Sequence, residues 1–456
     1  MKKFLRAIYD NIDRLPNPIL IFLMKLNFSA KLAFGKRYFY IYNGLKSGEY
    51  VFNNKRLFEM VNNSFRDIPY YKSKRAVNIE TIEQFEKEIG FIDKDVVLEN
   101  FEGFINPLID ISNFDRGTTG GTSGKPLKLI MDPNRYVIEL ATMHFLWSQV
   151  GYNFDTRAVI RNHKLKNNQC YTVNPITKEI IFDGFRLNDA YFEDVYSVLF
   201  RYKVKFVHCY PSTAYEFSKF LYHKKKDVSF IKSFLCGSEN VVEYQRDFIV
   251  NKLNVNFFSF YGHSEKLAIA GSVVRPDGTV SRNYIFEPSY GYVELIDEDG
   301  NVIKETGKVG EIVGTTLNNS AMPLIRYRTG DFASYVSLSE VDSFGRSLPI
   351  FSPVLGRWAG DKIFNKDGSF VTTTALNLHS DVYEKINGIQ YVQNRVGHLE
   401  ILIIKGDGFS ETVEKDILEH FVETLNDDSV VKITYVDHLI KKDNGKFLLL
   451  NSSLNI

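Results

Sequence analysis

The sequence is poor in cysteine. Its 456 residues include only Cys170, Cys209 and Cys236, which lie far apart and form no C-x-x-C pair. An odd number of scattered cysteines argues against a disulfide framework and against a zinc site, and it favours a reducing compartment. We therefore expect a cytoplasmic protein.

Charge of one sign and long apolar runs are also lacking. The chain has 56 Lys and Arg against 55 Asp and Glu, a formal net charge of +1. It offers no general positive field for nucleic acid, so none is expected as a partner. The apolar run at residues 19–24 ends at Lys25, far short of the roughly 20 apolar residues that span a membrane. No transmembrane segment is predicted.

The amino-terminal residues show no convincing secretory signal. Leu5, Ile8, Ile12 and Leu15 recur at helical spacing near several basic side chains. A helix packed on its own domain is the favoured interpretation, and weak association with a membrane surface is the alternative.

Residues 117–126, with the sequence GTTGGTSGKP, stand out from the rest of the chain. Glycines let successive backbone N–H groups point at one anion, and the hydroxyl groups and the lysine add further donors. A flexible surface loop is the alternative. We expect a polyphosphate site made by Thr118, Thr119, Gly120, Gly121, Thr122, Ser123, Gly124 and Lys125. The alternating residues 127–131 predict a strand directly after this loop.

Two common phosphate loops do not fit this stretch. The Walker pattern needs glycine where Thr119 stands and Ser or Thr where Pro126 stands. The dinucleotide fingerprint also needs glycine at Thr119. Neither a P-loop NTPase nor a dinucleotide-binding fold is therefore favoured.

The length of the chain predicts two or three domains. Short apolar runs alternate with helical patterns over residues 155–267, which is typical of an α/β layered domain. Residues 291–317 are strand-rich, and a helix at 410–425 flanked by strands at 399–404 and 430–436 predicts a compact α+β unit. We expect a large domain at 1–355, a hinge at 356–366 and a small mobile domain at 367–456.

Five further stretches complete a pattern that begins with the 117–126 loop. They are 234–239 (FLCGSE), 261–265 (YGHSE), 327–331 (YRTGD), 356–363 (GRWAGDKI) and 444–446 (NGK). Together and in this order they resemble the motifs of the adenylate-forming superfamily, the acyl-CoA synthetases and their relatives. Within it, the chain looks most like the phenylacetate–CoA ligase group and its CapK-like branch, which is associated with bacterial surface polysaccharides.

The resemblance implies an α/β fold with a large ATP- and carboxylate-binding domain and a small mobile one. It also implies ATP and Mg²⁺, with CoA as a further candidate, and it assigns catalytic roles to Glu265, which would hold Mg²⁺, and to Lys446. The residues that it assigns to adenine and ribose are Gly237, Ser238, Glu239, Tyr261, Gly262, His263, Ser264, Asp331 and Arg357. His208 and Tyr210 are candidates for the wall of an acyl pocket, and each could equally be a core residue.

The function that we predict is AMP-forming ligation of a small-molecule carboxylate. The acyl group would pass to an amine or to the thiol of CoA, in surface-polysaccharide biosynthesis. An aryl- or acyl-CoA ligase and a non-catalytic nucleotide-binding relative remain as alternatives. The sequence leaves open the acid, the acceptor, the oligomeric state and whether Lys446 or a neighbouring lysine is the mobile one.

Overall fold

The computed structural model describes residues 16–25, 29–50, 52–74, 77–118, 127–165, 169–342, 344–356, 361–373, 376, 385–425, 429–440 and 448–454. The helices are Asn17–Lys25, Ser29–Ser47, Asn54–Asp67, Pro69–Lys72, Ile82–Glu88, Lys94–Glu99, Arg135–Ser148, Asp189–Tyr202, Pro211–His223, Glu243–Leu253 and Glu411–Thr424, with a 3₁₀ turn at Phe101–Phe104. No helix in this described part combines the length and apolar character needed to cross a membrane.

The strands are β1 (Asp115–Thr118), β2 (Lys128–Met131), β3 (Arg157–Ile160), β4 (Tyr171–Asn174), β5 (Glu179–Phe182), β6 (Phe206–Cys209), β7 (Ser233–Gly237), β8 (Asn256–Gly262), β9 (Ile269–Val274), β10 (Val280–Phe286), β11 (Gly291–Ile296), β12 (Val309–Thr316), β13 (Tyr327–Val341), β14 (Ser347–Phe351), β15 (Lys362–Phe364), β16 (Phe370–Thr372), β17 (Ile386–Arg395), β18 (His398–Lys405), β19 (Val430–Tyr435) and β20 (Leu450–Ser452).

A twelve-stranded sheet in the order β11-β12-β13-β14-β10-β9-β8-β7-β6-β3-β5-β4 is the framework of the larger part. Strands β5, β3, β6, β7 and β8 run parallel, and antiparallel strands extend the sheet on both sides. The carboxyl ends of the parallel strands therefore lie along one edge, where ligands of open α/β sheets bind.

The parallel strands are apolar on both faces because helices cover both. Phe234 and Phe257 pack with the helices Asp189–Tyr202 and Pro211–His223 in one core. Their neighbours in the chain point the other way: Leu235 and Phe258 pack in a second core with the helix Arg135–Ser148. Such near-continuous apolar strands are typical of buried parallel sheets.

The carboxyl-terminal unit is a four-stranded sheet in the order β19-β18-β17-β20, covered by the helix Glu411–Thr424. The Ser410 side chain accepts a hydrogen bond from the Val413 N–H and caps this helix. Val413, Ile417 and Phe421 recur every four residues and are buried in the unit's core.

A hairpin of β15 and β16 connects the two parts. Its Ile363 and Val371 are buried in the core of the carboxyl-terminal unit. On the other side, Lys362 Nζ lies 2.6 Å from Glu216 Oε1 on the helix Pro211–His223. The predicted hinge at 356–366 therefore contains β15, whose partner β16 lies in the predicted small domain that begins at residue 367. The division into domains stays a prediction.

The α/β fold class expected from the sequence is confirmed. The strand predicted at 127–131 is β2, which pairs antiparallel with β1 across the 117–126 loop. Residues 119–126 themselves lie outside the described residues, as do residues 1–15, on which the amino-terminal helix was expected.

Candidate active site

A cavity of about 450 Å³ lies at the carboxyl ends of the parallel strands. It collects residues from sequence motifs that are far apart in the chain. The predicted site residues that line it are His208, Tyr210, Ser238, Glu239, Tyr261, Gly262, His263, Ser264, Glu265 and Asp331. Residues at the end of each strand can converge here because β6, β7 and β8 are parallel neighbours.

Two tyrosines join two of the motifs. The Tyr261 hydroxyl, at the end of β8, donates a hydrogen bond of 2.8 Å to Asp331 Oδ2 on β13. In the opposite direction, the Tyr327 hydroxyl at the start of β13 donates to Glu265 Oε1 at 3.3 Å. Segments 261–265 and 327–331 are therefore linked twice, each time from the tyrosine of one to the acid of the other.

The environment of Tyr261 keeps its hydroxyl protonated. Burial raises the pKa of Tyr261 well above its usual value, and the negative charge of Asp331 raises it further. Asp331 is itself 6% exposed. The pair therefore presents a fixed acceptor group at the cavity wall.

Glu265 is a candidate ligand for a hard cation. Its side chain is 9% exposed and lines the cavity, and His263 Nδ1 lies 3.4 Å from its Oε2. Within the described residues, no group of three or more His, Cys, Asp or Glu side chains forms a metal cluster. A single carboxylate nevertheless fits Mg²⁺, which keeps several waters and takes other ligands from substrate phosphates.

The turn after β7 has an unusual backbone. Ser238 has a φ of +70°, in the left-handed region that few non-glycine residues adopt. At Gly237 an added Cβ would lie 2.5 Å from the Phe260 ring, so Gly237 packs behind the cavity wall rather than lining it. Glu239 Oε2 accepts a hydrogen bond of 3.1 Å from the Ser212 N–H, at the start of the helix Pro211–His223.

Asn240 fixes Gly356, the first residue of the predicted hinge. Its side chain donates to the Gly356 carbonyl at 2.8 Å and accepts from the Gly356 N–H at 2.9 Å. Gly356 also approaches Asp331, since a Cβ on it would lie 3.6 Å from Asp331 Oδ1. The start of the hinge segment is thereby held against the cavity, although Arg357 lies outside the described residues.

Arg161 lies among the predicted acyl-pocket residues, and sequence reasoning missed it. It follows β3 directly, and its Nη1 lies 2.7 Å from His208 Nε2. Its Nη2 donates to Ser238 Oγ at 2.8 Å, and its guanidinium lies 4.7 Å from the centre of the Tyr210 ring. An isolated charged residue after a strand has no sequence pattern that marks it.

Another wall of the cavity is mostly apolar and comes from the helix Arg135–Ser148, which also contributes Glu139. Tyr136, Leu140, Met143 and Trp147 line the cavity from this helix. Their spacing of three and four residues marks one helix face. That spacing is the sequence signal that could have assigned this helix face to the pocket.

The structure leaves some predicted site residues outside its described part. These are Thr119, Gly120, Gly121, Thr122, Ser123, Gly124, Lys125, Arg357 and Lys446, while Thr118 is described only as a backbone position of β1. Their assignments stay predictions.

Known proteins resemble this chain in parts and in overall fold. Residues 363–452 match the CapK C-terminal domain family. A phenylacetate-coenzyme A ligase of Thermus thermophilus is 28% identical over 212 residues, which cover 46% of this chain and 44% of that protein. The enzyme of the same name from Escherichia coli K12 is 26% identical over 177 residues, 37% of each chain. The matched stretch thus spans less than half the length of these relatives.

A solved structure of 2-hydroxyisobutyryl-CoA ligase in the postadenylation state has a TM-score of 0.52 at 12% identity, and the alignment covers 88% of both chains. An open conformation of that ligase, in complex with 2-HIB-AMP and CoA, has a TM-score of 0.50 at 14% identity, with 87% of this chain and 90% of the other covered. Identities this low show the fold alone. These findings confirm the resemblance predicted from the sequence: the chain is similar to the CapK C-terminal domain and to phenylacetate–CoA ligases, and it has the fold of CoA ligases of the adenylate-forming superfamily.

Proposed function

We propose that this protein is an ATP-dependent, AMP-forming carboxylate ligase. One observation carries the proposal: segments 234–239, 261–265 and 327–331 converge on one cavity at the strand ends, with Tyr261 and Tyr327 each bonded to the acid of the other's motif. The similarity to phenylacetate–CoA ligases supports the same activity.

The first step joins a carboxylate to the α-phosphate of ATP and releases pyrophosphate. Both reactants are anions, so the site must supply positive charge and hydrogen-bond donors. We assign the phosphates to residues 118–125, the ribose hydroxyls to Asp331, and the bridge between the carboxylate and the α-phosphate to Lys446. Glu265 would hold Mg²⁺, which would neutralise phosphate charge.

The apolar face of the helix Arg135–Ser148 supports the position of the acyl pocket. Met143 and Trp147 from this helix line the cavity together with His208 and Phe260. In the second step, movement about residues 356–366 would admit the acceptor.

The acceptor is the point on which two candidate functions differ. Transfer to an amine in surface-polysaccharide biosynthesis is the proposal that follows from the resemblance to CapK-like proteins, a resemblance that includes the CapK C-terminal domain match over residues 363–452. The phenylacetate–CoA ligase relatives support transfer to the thiol of CoA. Domain movement and a cytoplasmic location remain predictions.

Exchange of labelled pyrophosphate into ATP tests the first step. The full-length protein is incubated with ATP, MgCl₂ and a panel of carboxylic acids, and acyl-hydroxamate formation in hydroxylamine gives a second readout. Asp331→Ala should abolish exchange, whereas Arg282→Gln, at a surface arginine paired with Glu243, should not. ATP binding without exchange on any acid would favour the non-catalytic alternative and refute the proposal.

A second assay separates the acceptors. Product analysis with CoA, with amino sugars and with amino acids, each added alone to an acid that supports exchange, measures which nucleophile is consumed. AMP release dependent on CoA alone would favour the CoA ligase.

A further inference from the structure

The cavity contains a cation, Arg161, that forms no ion pair with an acid in the described part of the chain. Arg161 lines the cavity and is half-buried. Its guanidinium hydrogen-bonds with the His208 ring and the Ser238 hydroxyl and lies over the Tyr210 ring. All three groups are neutral in this setting, because burial and the nearby Arg161 charge hold the pKa of His208 well below its usual value and burial raises the pKa of Tyr210.

The other cations of the cavity are paired. Arg157 forms an ion pair with Glu179, and Lys266 Nζ lies 2.8 Å from Glu139 Oε1. Within the described part of the chain, no carboxylate lies within ion-pair distance of Arg161. The acids that line the cavity with it have other partners, namely Glu139 with Lys266, Glu239 with the Ser212 N–H, Glu265 with Tyr327 and Asp331 with Tyr261.

The backbone holds Arg161 in this place. Gly184 packs so closely behind it that an added Cβ would lie 1.5 Å from the Arg161 carbonyl oxygen. The same carbonyl accepts a hydrogen bond of 2.8 Å from the His163 N–H. A guanidinium offers five N–H donors in a fixed planar fork, and His208 and Ser238 take only part of this set.

We propose that Arg161 binds a second negatively charged group on the acid that is adenylated, so that the substrate is a dicarboxylic acid or another acid with a second anionic group. This inference rests on the proposed ligase function and names its substrate class. Arg161 acts as a specificity-determining residue, because its fork matches a carboxylate. The apolar helix face with Met143 and Trp147 then contacts the carbon chain between the two acid groups.

Matched acids that differ in one charge test the proposal. Succinate, glutarate and isophthalate are each compared with the monoamide of the same acid, which has nearly the same shape and one carboxylate less. In pyrophosphate exchange, we expect at least one diacid to exceed its monoamide in kcat/KM by about 10- to 100-fold, the range expected for a hydrogen bond between charged groups. Arg161→Gln should reduce that ratio to near one, Arg161→Lys should keep part of it, and Arg282→Gln should leave it unchanged.

The same variants show whether the anion that Arg161 binds belongs to the acid or to the nucleotide. If Arg161 binds the acid, Arg161→Gln raises the KM of the diacid and leaves the KM of ATP within about twofold. A raised KM for ATP with an unchanged diacid preference would assign Arg161 to a nucleotide phosphate and overturn the proposal. A diacid preference that survives in Arg161→Gln would also overturn it.

A direct measurement of binding makes the test independent of catalytic turnover. Calorimetric titration of the same six acids into the full-length protein, with α,β-methylene-ATP present, measures affinity without a reaction. Preferential binding of a diacid that Arg161→Gln removes would support the proposal even if no acid supported exchange, in which case only the ligase function would fail. Equal affinity within each pair, or no binding by any of the acids, would overturn it.

Discussion

Replacing Tyr261 with phenylalanine removes one oxygen atom from the cavity wall. The Tyr261 hydroxyl donates to Asp331 Oδ2 at 2.8 Å, and the ring packs edge-on against Phe286 with 5.7 Å between centroids. Phenylalanine keeps that ring contact. The substitution therefore tests the hydrogen bond to the acid and leaves the packing in place.

The size of the effect follows from the burial of Asp331. A hydrogen bond to a charged group contributes about 1.5–3 kcal/mol to stability, and Asp331, at 6% exposure, has little access to water as a substitute. We expect Tyr261→Phe to lower the free energy of unfolding by about 2 kcal/mol. If Asp331 binds the ribose, the loss of its fixed orientation should also raise the KM of ATP about tenfold, with a smaller change in the KM of the acid.

Urea denaturation at several pH values, together with pyrophosphate exchange, measures both effects. The pKa of Tyr261 is raised by burial and then by Asp331, so its hydroxyl still donates throughout the neutral range. The difference between wild type and Tyr261→Phe should therefore be constant from pH 6 to 9. Above about pH 10, the usual tyrosine pKa, the unfolded wild type ionises Tyr261 and the folded protein does not. The wild type should then lose stability more steeply than the variant.

Tyr327→Phe is the matched control, because it removes a longer contact of 3.3 Å to Glu265 from the neighbouring motif. Its effect on the KM of ATP should be smaller than that of Tyr261→Phe. An unfolding free energy of Tyr261→Phe within about 0.5 kcal/mol of wild type, the scatter of neutral substitutions, would refute the reasoning about the buried acid. An unchanged KM for ATP would refute the assignment of Asp331 to the nucleotide.

Three other substitutions have expected outcomes. Gly184→Ala should destabilise the protein by about 3 kcal/mol in urea unfolding, because its Cβ would lie 1.5 Å from the Arg161 carbonyl oxygen. Arg326→Met should cost about 3–5 kcal/mol in the same assay, because it leaves the fully buried Glu294 without its bidentate partner. Burial and, after it, the Arg161 charge hold the pKa of His208 well below 6.5. Below pH 6.5 the unfolded chain therefore binds a proton that the folded chain does not, so the free energy of unfolding decreases as the pH is lowered. Between pH 6.5 and 5, the free energy of unfolding of His208→Gln should decrease by about 1–2 kcal/mol less than that of the wild type, measured in a series of urea titrations.

Controls distinguish these mechanisms from general damage. Gly90→Ala places its Cβ in open space and should be close to neutral, so an equal loss in both glycine variants would contradict the steric argument for Gly184. A cost below about 1 kcal/mol for Arg326→Met would mean that Glu294 takes up a proton when its partner is removed. An unchanged slope of stability against pH in His208→Gln would assign the acid sensitivity to other buried groups such as His144, whose pKa burial also lowers.

Much of the fold could be predicted because its signals are local. The helix Glu411–Thr424 differs from the expected 410–425 only by its cap and end residues, and the strand expected at 399–404 lies within β18. β13 was not predicted as a strand, although buried and more exposed residues alternate along its first half, from Tyr327 to Tyr335. Those residues had been assigned to a motif, and the partners of the strand, β12 and β14, are set by contacts between distant parts of the chain.

The site divides in the same way. Ser238, Tyr261, Glu265 and Asp331 could be predicted because they belong to short patterns, and the structure brings their side chains to one cavity. Arg161 could not, because only the parallel pairing of β3 with β6 places it beside His208. A charged side chain at the end of a strand is also common at any protein surface. Its significance depends on whether it forms an ion pair in the folded protein, and a sequence does not contain that information.

The two tyrosine contacts explain why the two motifs share a form. Segment 261–265 begins with tyrosine and ends four residues later with glutamate, and segment 327–331 begins with tyrosine and ends four residues later with aspartate. Because each hydroxyl donates to the acid of the other segment, neither acid is oriented by its own motif alone. β8 and β13 are not neighbours in the sheet, since β9, β10 and β14 lie between them. The contacts therefore fix the separation of Glu265 and Asp331 directly, and the sheet carries both residues to the same edge.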